Sequence, residues 1–223
     1  MPQKAQTTIF NLHFRNGPNY DFGEDINAQQ QRQENKGRYQ PGGTDALFFQ
    51  DVYVSTFKKS CPTISENLKR HWYSKPNQRK LKFNINAHGG ENDTAFHMKN
   101  SKGKWRAYSA KLTVKFLMDN GLKRGDYQGK LRIALYVCFG SNQINGDSSM
   151  TEMRDELNRC GITGFRIHGT GYVTEIDDQG QLCTSGDEWR AYEVFGLQMP
   201  FGRQVDVDHG SWNASGNRET VVG

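Results

Sequence analysis

Two short stretches of the chain alternate apolar and polar residues in nearly the same way. Leu81, Phe83, Ile85 and Ala87 take every second position, with Lys82, Asn84 and Asn86 between them, and the run ends at His88-Gly89-Gly90. Leu131, Ile133, Leu135 and Val137 repeat the pattern and end at Cys138-Phe139-Gly140-Ser141. A period of two puts the apolar side chains on one face of an extended strand, so both runs predict strands. Ala46 to Thr56, rich in aromatic and β-branched residues, predicts another. Gly164 to Thr174 predicts a further strand with a glycine-bearing turn, and Thr7 to Phe14, with Ile9, Phe10, Leu12 and Phe14, a short strand docked on the main domain. Residues 94–99 and 104–108 flank Asn100-Ser101-Lys102-Gly103 and read as a polar hairpin projecting from the sheet end.

Between these runs the spacing becomes helical. Thr63 and Glu66 are placed as a capping box behind Pro62, ahead of Ile64, Leu68 and Trp72. Ser109 can cap a helix carrying Leu112, Phe116 and Leu117, which Asn120-Gly121 can stop. A third helix is expected from Ser149, boxed by Glu152, with Met150, Met153 and Leu157 on one face and an end near Cys160-Gly161. Strands alternating with helices predict an α/β fold with right-handed crossovers and a mostly parallel central sheet bearing helices on both faces. Lys82, Asn84, Asn86 and Arg132 suit such a doubly covered sheet poorly, which points to one face incompletely covered or adjoining a partner.

Asn16 to Gly43 is rich in Asn, Gln, Gly and charge and reads as a long loop or mobile segment. The expected organisation is therefore residues 1–43 as an N-terminal strand and polar segment, followed by residues 44–223 as the main domain. With 35% hydrophobic residues, 13 Phe, 9 Tyr and 4 Trp, the 223-residue chain can fill one core. The net charge of +5 comes from scattered basic residues, a weak signal for nucleic acid. No membrane span and no secretory signal are visible, so the chain reads as soluble.

Cysteines at 61, 138, 160 and 183 are too sparse for a disulfide framework and lack a C-x-x-C pair, so reduced thiols are expected. Cys61, Cys160 and Cys183 read as small packed residues. Cys138 is different because it closes a strand. A thiolate attacks a carbonyl well when an imidazole removes its proton and backbone N–H groups hold the developing oxyanion. His88 and Cys138 each follow the last apolar residue of a strand, with the same parity, on the edge where ligands of open α/β sheets bind. If the two strands are parallel neighbours, base and nucleophile meet. Gly89 would let a substrate carbonyl approach the backbone, making the N–H groups of Gly89 and Cys138 the oxyanion-hole candidates.

The layout of strand and His-Gly (FNINAHGG), hairpin, helix, strand and Cys (RIALYVCFGS), helix, strand resembles the caspase-type (clan CD) cysteine peptidases over about residues 45–180. That group includes gingipain, clostripain, legumain, separase and the self-cleaving domains of bacterial toxins. His88 lies 50 residues before Cys138, and caspases carry their histidine about 50 residues upstream of the cysteine. The eukaryotic Gln-Ala-Cys-x-Gly signature is replaced by Val137-Cys138-Phe139, so the likeness is to the bacterial branch. The resemblance implies a caspase-like three-layer sandwich, a His88/Cys138 dyad, no cofactor, and cleavage of a protein or peptide substrate after a particular residue. It also implies a specificity pocket near the turn of Gly169, Thr170, Gly171 and Tyr172. It is compatible with a cytoplasmic protein or one delivered to a host or target cell without a recognisable signal.

Competing readings use the same residues. A non-catalytic module of this fold would engage a protein or RNA partner, for instance through the basic, aromatic stretch Lys69 to Lys80, which otherwise reads as a solvated helix end. A metal site of His88, His97 and Cys138 lacks a recognised ligand spacing. His-Gly recurs at residues 168 and 209, but only His88 follows an alternating strand upstream of Cys138. His97 reads as an exposed hairpin residue, and His13 and His71 as surface or structural residues. Asp147, Glu175, Asp177 and Asp187 read as loop carboxylates, and Trp189 and Trp212 as packing residues.

Overall fold

The alternating runs assemble into one sheet. The computed structural model describes residues 6–14, 46–54, 60–74, 78–90, 93–99, 104–138, 140–141, 143–144, 146–171, 173–176, 182–194, 197–211 and 219–223, with backbone alone for 173–211. The polar segment 16–43 and Tyr172 lie outside these residues. The strands are β1 (Gln6–His13), β2 (Ala46–Tyr53), β3 (Gln78–Asn86), β4 (His88–Gly89), β5 (Ala95–Lys99), β6 (Trp105–Ser109), β7 (Gly125–Tyr136), β8 (Ile162–Gly169), β9 (Val173–Ile176), β10 (Leu182–Val194), β11 (Leu197–Ser211) and β12 (Glu219–Val222). Six of them form the central sheet in the order β12-β8-β7-β3-β1-β2. All its pairings are parallel except β12 with β8, which gives the α/β class expected. β1 is not an appendage: it lies between β2 and β3.

The helices are α1 (Pro62–Asn67), which continues as a π-helical stretch Leu68–Tyr73, α2 (Ala110–Asp119) and α3 (Ser149–Arg159). Their buried residues Ile64, Leu68, Trp72, Val114, Phe116, Leu117, Met150, Met153 and Leu157 join Phe10, Leu12, Phe83, Ile85, Ile133, Leu135 and Ile167 in one apolar cluster. Each fully buried side chain of this size contributes about 1.5–3 kcal/mol. The described helices thus pack on the same face of the sheet, where helices on both faces had been expected.

The opposite face carries the polar positions, and it is nonetheless buried. Asn84 is 3% exposed, and Asn11, His13 and Asn86 are buried beside it. The Asn84 amide donates to Asn11 Oδ1 at 2.7 Å, and Asn86 Nδ2 to the Leu12 carbonyl at 3.5 Å. A buried amide is costly unless paired, so these bonds tie β3 to β1. His13 stacks on Tyr53 and His71 on Phe48, which makes both structural residues.

Helix starts differ from the sequence expectation. α1 begins at Pro62, whose fixed φ suits the first helical position, with Cys61 as its N-cap and no side-chain cap. The capping box of α3 is Ser148 with Thr151 in place of Ser149 with Glu152. Ser109 caps α2 as expected, accepting from Leu112 N at 3.2 Å, while Leu112 itself faces outward at 37% exposure.

On α3, Glu156 is 7% exposed and takes two bonds from Arg159, Nε to Oε2 at 2.8 Å and Nη2 to Oε1 at 2.5 Å. The Arg159 bonds hold its carboxyl below the ordinary range, outweighing the opposite effect of burial. A carboxylate with a depressed folded-state pKa stabilises the fold above its unfolded pKa and loses that contribution as pH falls through the folded value. Glu156→Gln should therefore unfold at lower urea than the unsubstituted protein at pH 7, with the two midpoints converging as pH is lowered from about 5 through the carboxylate range. A gap that stays constant with pH would assign the difference to packing instead of charge.

Candidate active site

β3 and β7 are parallel neighbours, and their register carries a constant offset from Leu81 opposite Leu131 to Asn86 opposite Tyr136. His88 and Cys138 each stand two residues beyond the last paired position of their strand. The pairing therefore brings the two chain segments out at the same sheet edge, at equivalent positions. Both residues are partly buried.

The chain does not simply turn at His88. It leaves the parallel sheet at Ala87, and His88-Gly89 forms β4 of a second, antiparallel sheet in the order β4-β5-β6, with His88 opposite His97 and Gly89 opposite Phe96. Gly89 is required by contact with the cysteine segment. A Cβ built on it would lie 1.8 Å from the Cys138 carbonyl oxygen and 2.7 Å from Val137 Cγ1. The absence of a side chain at Gly89 thus makes room for the backbone of Cys138 itself, where the sequence had suggested room for a substrate carbonyl.

The segment after Cys138 is pinned from below. Ser141 N donates to the Thr170 carbonyl at 3.0 Å, and Ser141 Oγ to Glu219 Oε1 at 3.0 Å. Ile144 and Asp147 close a short bridge ahead of α3 through two backbone bonds of 2.7 and 3.1 Å. Gly169 is packed against α3, where an added Cβ would meet Met150 Sδ at 2.7 Å, and Thr170 is 0% exposed. Gly169 and Thr170 thus sit beneath the cysteine segment.

Two neighbours of His88 carried no clear sequence signal. Trp105 on β6 sets its ring edge-to-face with the imidazole, centroids 4.9 Å apart and planes at 89°. His97, expected as an exposed polar residue, is cross-strand from His88 and bonds the Asp93 carboxylate through Nε2 at 2.8 and 3.0 Å. Among the described residues, no group of three His, Cys, Asp or Glu side chains is placed to hold a metal ion. Cys61, Cys138 and Cys160 are not joined in disulfides.

Among the described residues, cavities lie elsewhere. One of about 580 Å³ lies between α2 and α3 and is lined by Lys111, Leu112, Lys115, Asp155 and Arg159. Another, about 330 Å³, lies at the start of β7 beside Tyr73, Lys123, Arg124, Tyr127 and Lys130. Tyr73 and Tyr127 share a 3.1 Å hydroxyl contact there, and burial raises the pKa of both phenols. Trp72 is buried and stacked on Tyr127, so the basic stretch Lys69 to Lys80 does not present this ring at the surface.

Among the described residues, no helix is long and apolar enough to cross a membrane. Compared with known proteins, the chain matches no protein-family model and no curated protein.

Gly89→Ala should force the two strand ends apart. Overpacking of this kind costs about 1–3 kcal/mol, occasionally more. The expected result is a lowered urea midpoint with altered alkylation of Cys138; a variant with unchanged midpoint and thiol reactivity would show that Gly89 is not a required contact.

Proposed function

We propose that the chain is a cysteine hydrolase cleaving peptide bonds, with His88 as base and Cys138 as nucleophile. The observation that carries this reading is the constant register of β3 and β7, which delivers the two residues to equivalent positions at the carboxyl edge of the sheet. Active sites of open α/β sheets lie at that edge. The class of bond rests on the resemblance to caspase-type peptidases. The described α/β fold and the hairpin after the histidine strand are compatible with it.

The chemistry follows from the residue types. His88 takes the Cys138 Sγ proton, and the thiolate adds to the scissile carbonyl. Backbone N–H groups of Gly89 and Cys138 hold the oxyanion of the tetrahedral intermediate. Collapse expels the amine, which receives the proton from His88 and leaves a thioester on Cys138. Water, deprotonated by His88, then releases the acid and restores the thiol. No cofactor enters these steps.

Cys138→Ala should abolish hydrolysis of a peptide library with the circular dichroism spectrum unchanged, and His88→Ala should lower it about 10²–10⁴-fold. Iodoacetamide at mildly acidic pH should label Cys138 ahead of Cys61, Cys160 and Cys183. Hydrolysis that survives Cys138→Ala rules the assignment out. Partner binding without thiol reactivity would favour the non-catalytic module instead.

A further inference from the structure

Trp105 keeps 49% of its surface exposed, uncommon for the largest side chain, and that exposure adjoins His88. β6 is two strands from β4, so their backbones are about 10 Å apart. The indole therefore leans over β5 to reach the imidazole. The register explains how. His88 is opposite His97, and His97 is opposite Ala107, two residues from Trp105. Cross-strand partners share a face and side chains alternate along a strand, so His88, His97, Ala107 and Trp105 line one face of the small sheet. Phe96 and Met98, both buried, occupy the other. Ala107 is exposed and adds only a methyl group between the larger residues.

We infer that Trp105 is a substrate-binding residue, the apolar wall of a subsite that receives a large uncharged side chain of the residue beside the scissile bond. This rests on the reading of His88 as the base. The indole offers apolar area within contact distance of the imidazole, so a side chain laid on it sets a neighbouring carbonyl at the dyad. A guanidinium laid on the same indole must shed bound water that an aliphatic or aromatic side chain does not carry, so an uncharged occupant is favoured.

The test reads binding apart from chemistry. Acetyl-Gly-Gly-X-Gly-Gly-amide peptides, with X as Phe, Leu, Arg or Gly, are titrated into the full chain carrying Cys138→Ala. The indole N–H resonance of Trp105, assigned by its loss in Trp105→Phe, is followed by NMR. The Phe and Leu peptides should bind about ten-fold more tightly than the Gly and Arg peptides and shift that resonance. Adding Trp105→Ala should bring all four to the Gly level, while Trp105→Phe should keep most of the preference. Equal binding of the four peptides, or a preference that survives Trp105→Ala, overturns the inference. A Trp105-dependent preference in a protein that hydrolyses no peptide upholds the subsite and removes the catalytic reading alone.

Discussion

The parallel pairing of β3 with β7 is the constraint on which the rest of the architecture depends. Its register keeps Leu81, Phe83 and Ile85 beside Leu131, Ile133 and Leu135 on the helix-covered face. A slip of one residue would turn Asn84 and Asn86 into that apolar cluster and expel the aliphatic residues from it. The Asn84 to Asn11 bond guards the same register from the opposite face, because a misplaced strand would leave two buried amides unpaired. Whatever emerges at the carboxyl edge is therefore placed by the whole sheet, with little left to the loops.

At that edge the chain changes sheets. Ala87 ends one hydrogen-bonding pattern, and His88 enters another, antiparallel to β5. His88 is thus held by backbone pairing on a hairpin, while Cys138 stands where β7 gives way to a turn anchored through Ser141. The two supports meet where Gly89 lies against the Cys138 carbonyl. Mounting side chains on ordered backbone limits their misplacement, and here the mounts of His88 and Cys138 come from two different sheets.

β3 and β7 are legible in the sequence because a period of two leaves little ambiguity once four apolar positions agree, whereas β10, β11 and β12 lie outside the expected elements. Helix starts were less so. Ser148 and Ser149, followed by Thr151 and Glu152, offer two overlapping caps, and the structure resolves them through a distant partner: Ser149 Oγ donates to the Thr94 carbonyl and Glu152 accepts from Thr94 Oγ1. The polar positions suggest a face incompletely covered or adjoining a partner because the acceptor of the Asn84 amide nitrogen lies 73 residues away. Trp105 gives no sequence signal for a similar reason. Its relation to His88 crosses two strands of a hairpin whose own pattern is largely polar, so no local spacing could announce it.

The central position of β1 has a consequence for how the sheet is made. β7, α3 and β8 form a local βαβ unit, whereas β1 joins β3 only by closing a loop of some seventy residues, as the 73-residue separation of Asn11 and Asn84 records. Closure entropy rises with loop length, and contacts of long separation slow folding. Until β1 arrives, β3 presents an unpaired edge bearing Asn84 and Asn86, the kind of surface that invites wrong partners. The strand leading to His88 is thereby completed by one of the longest-range pairings among the described residues, so an open edge at β3 persists in any folding intermediate that lacks it.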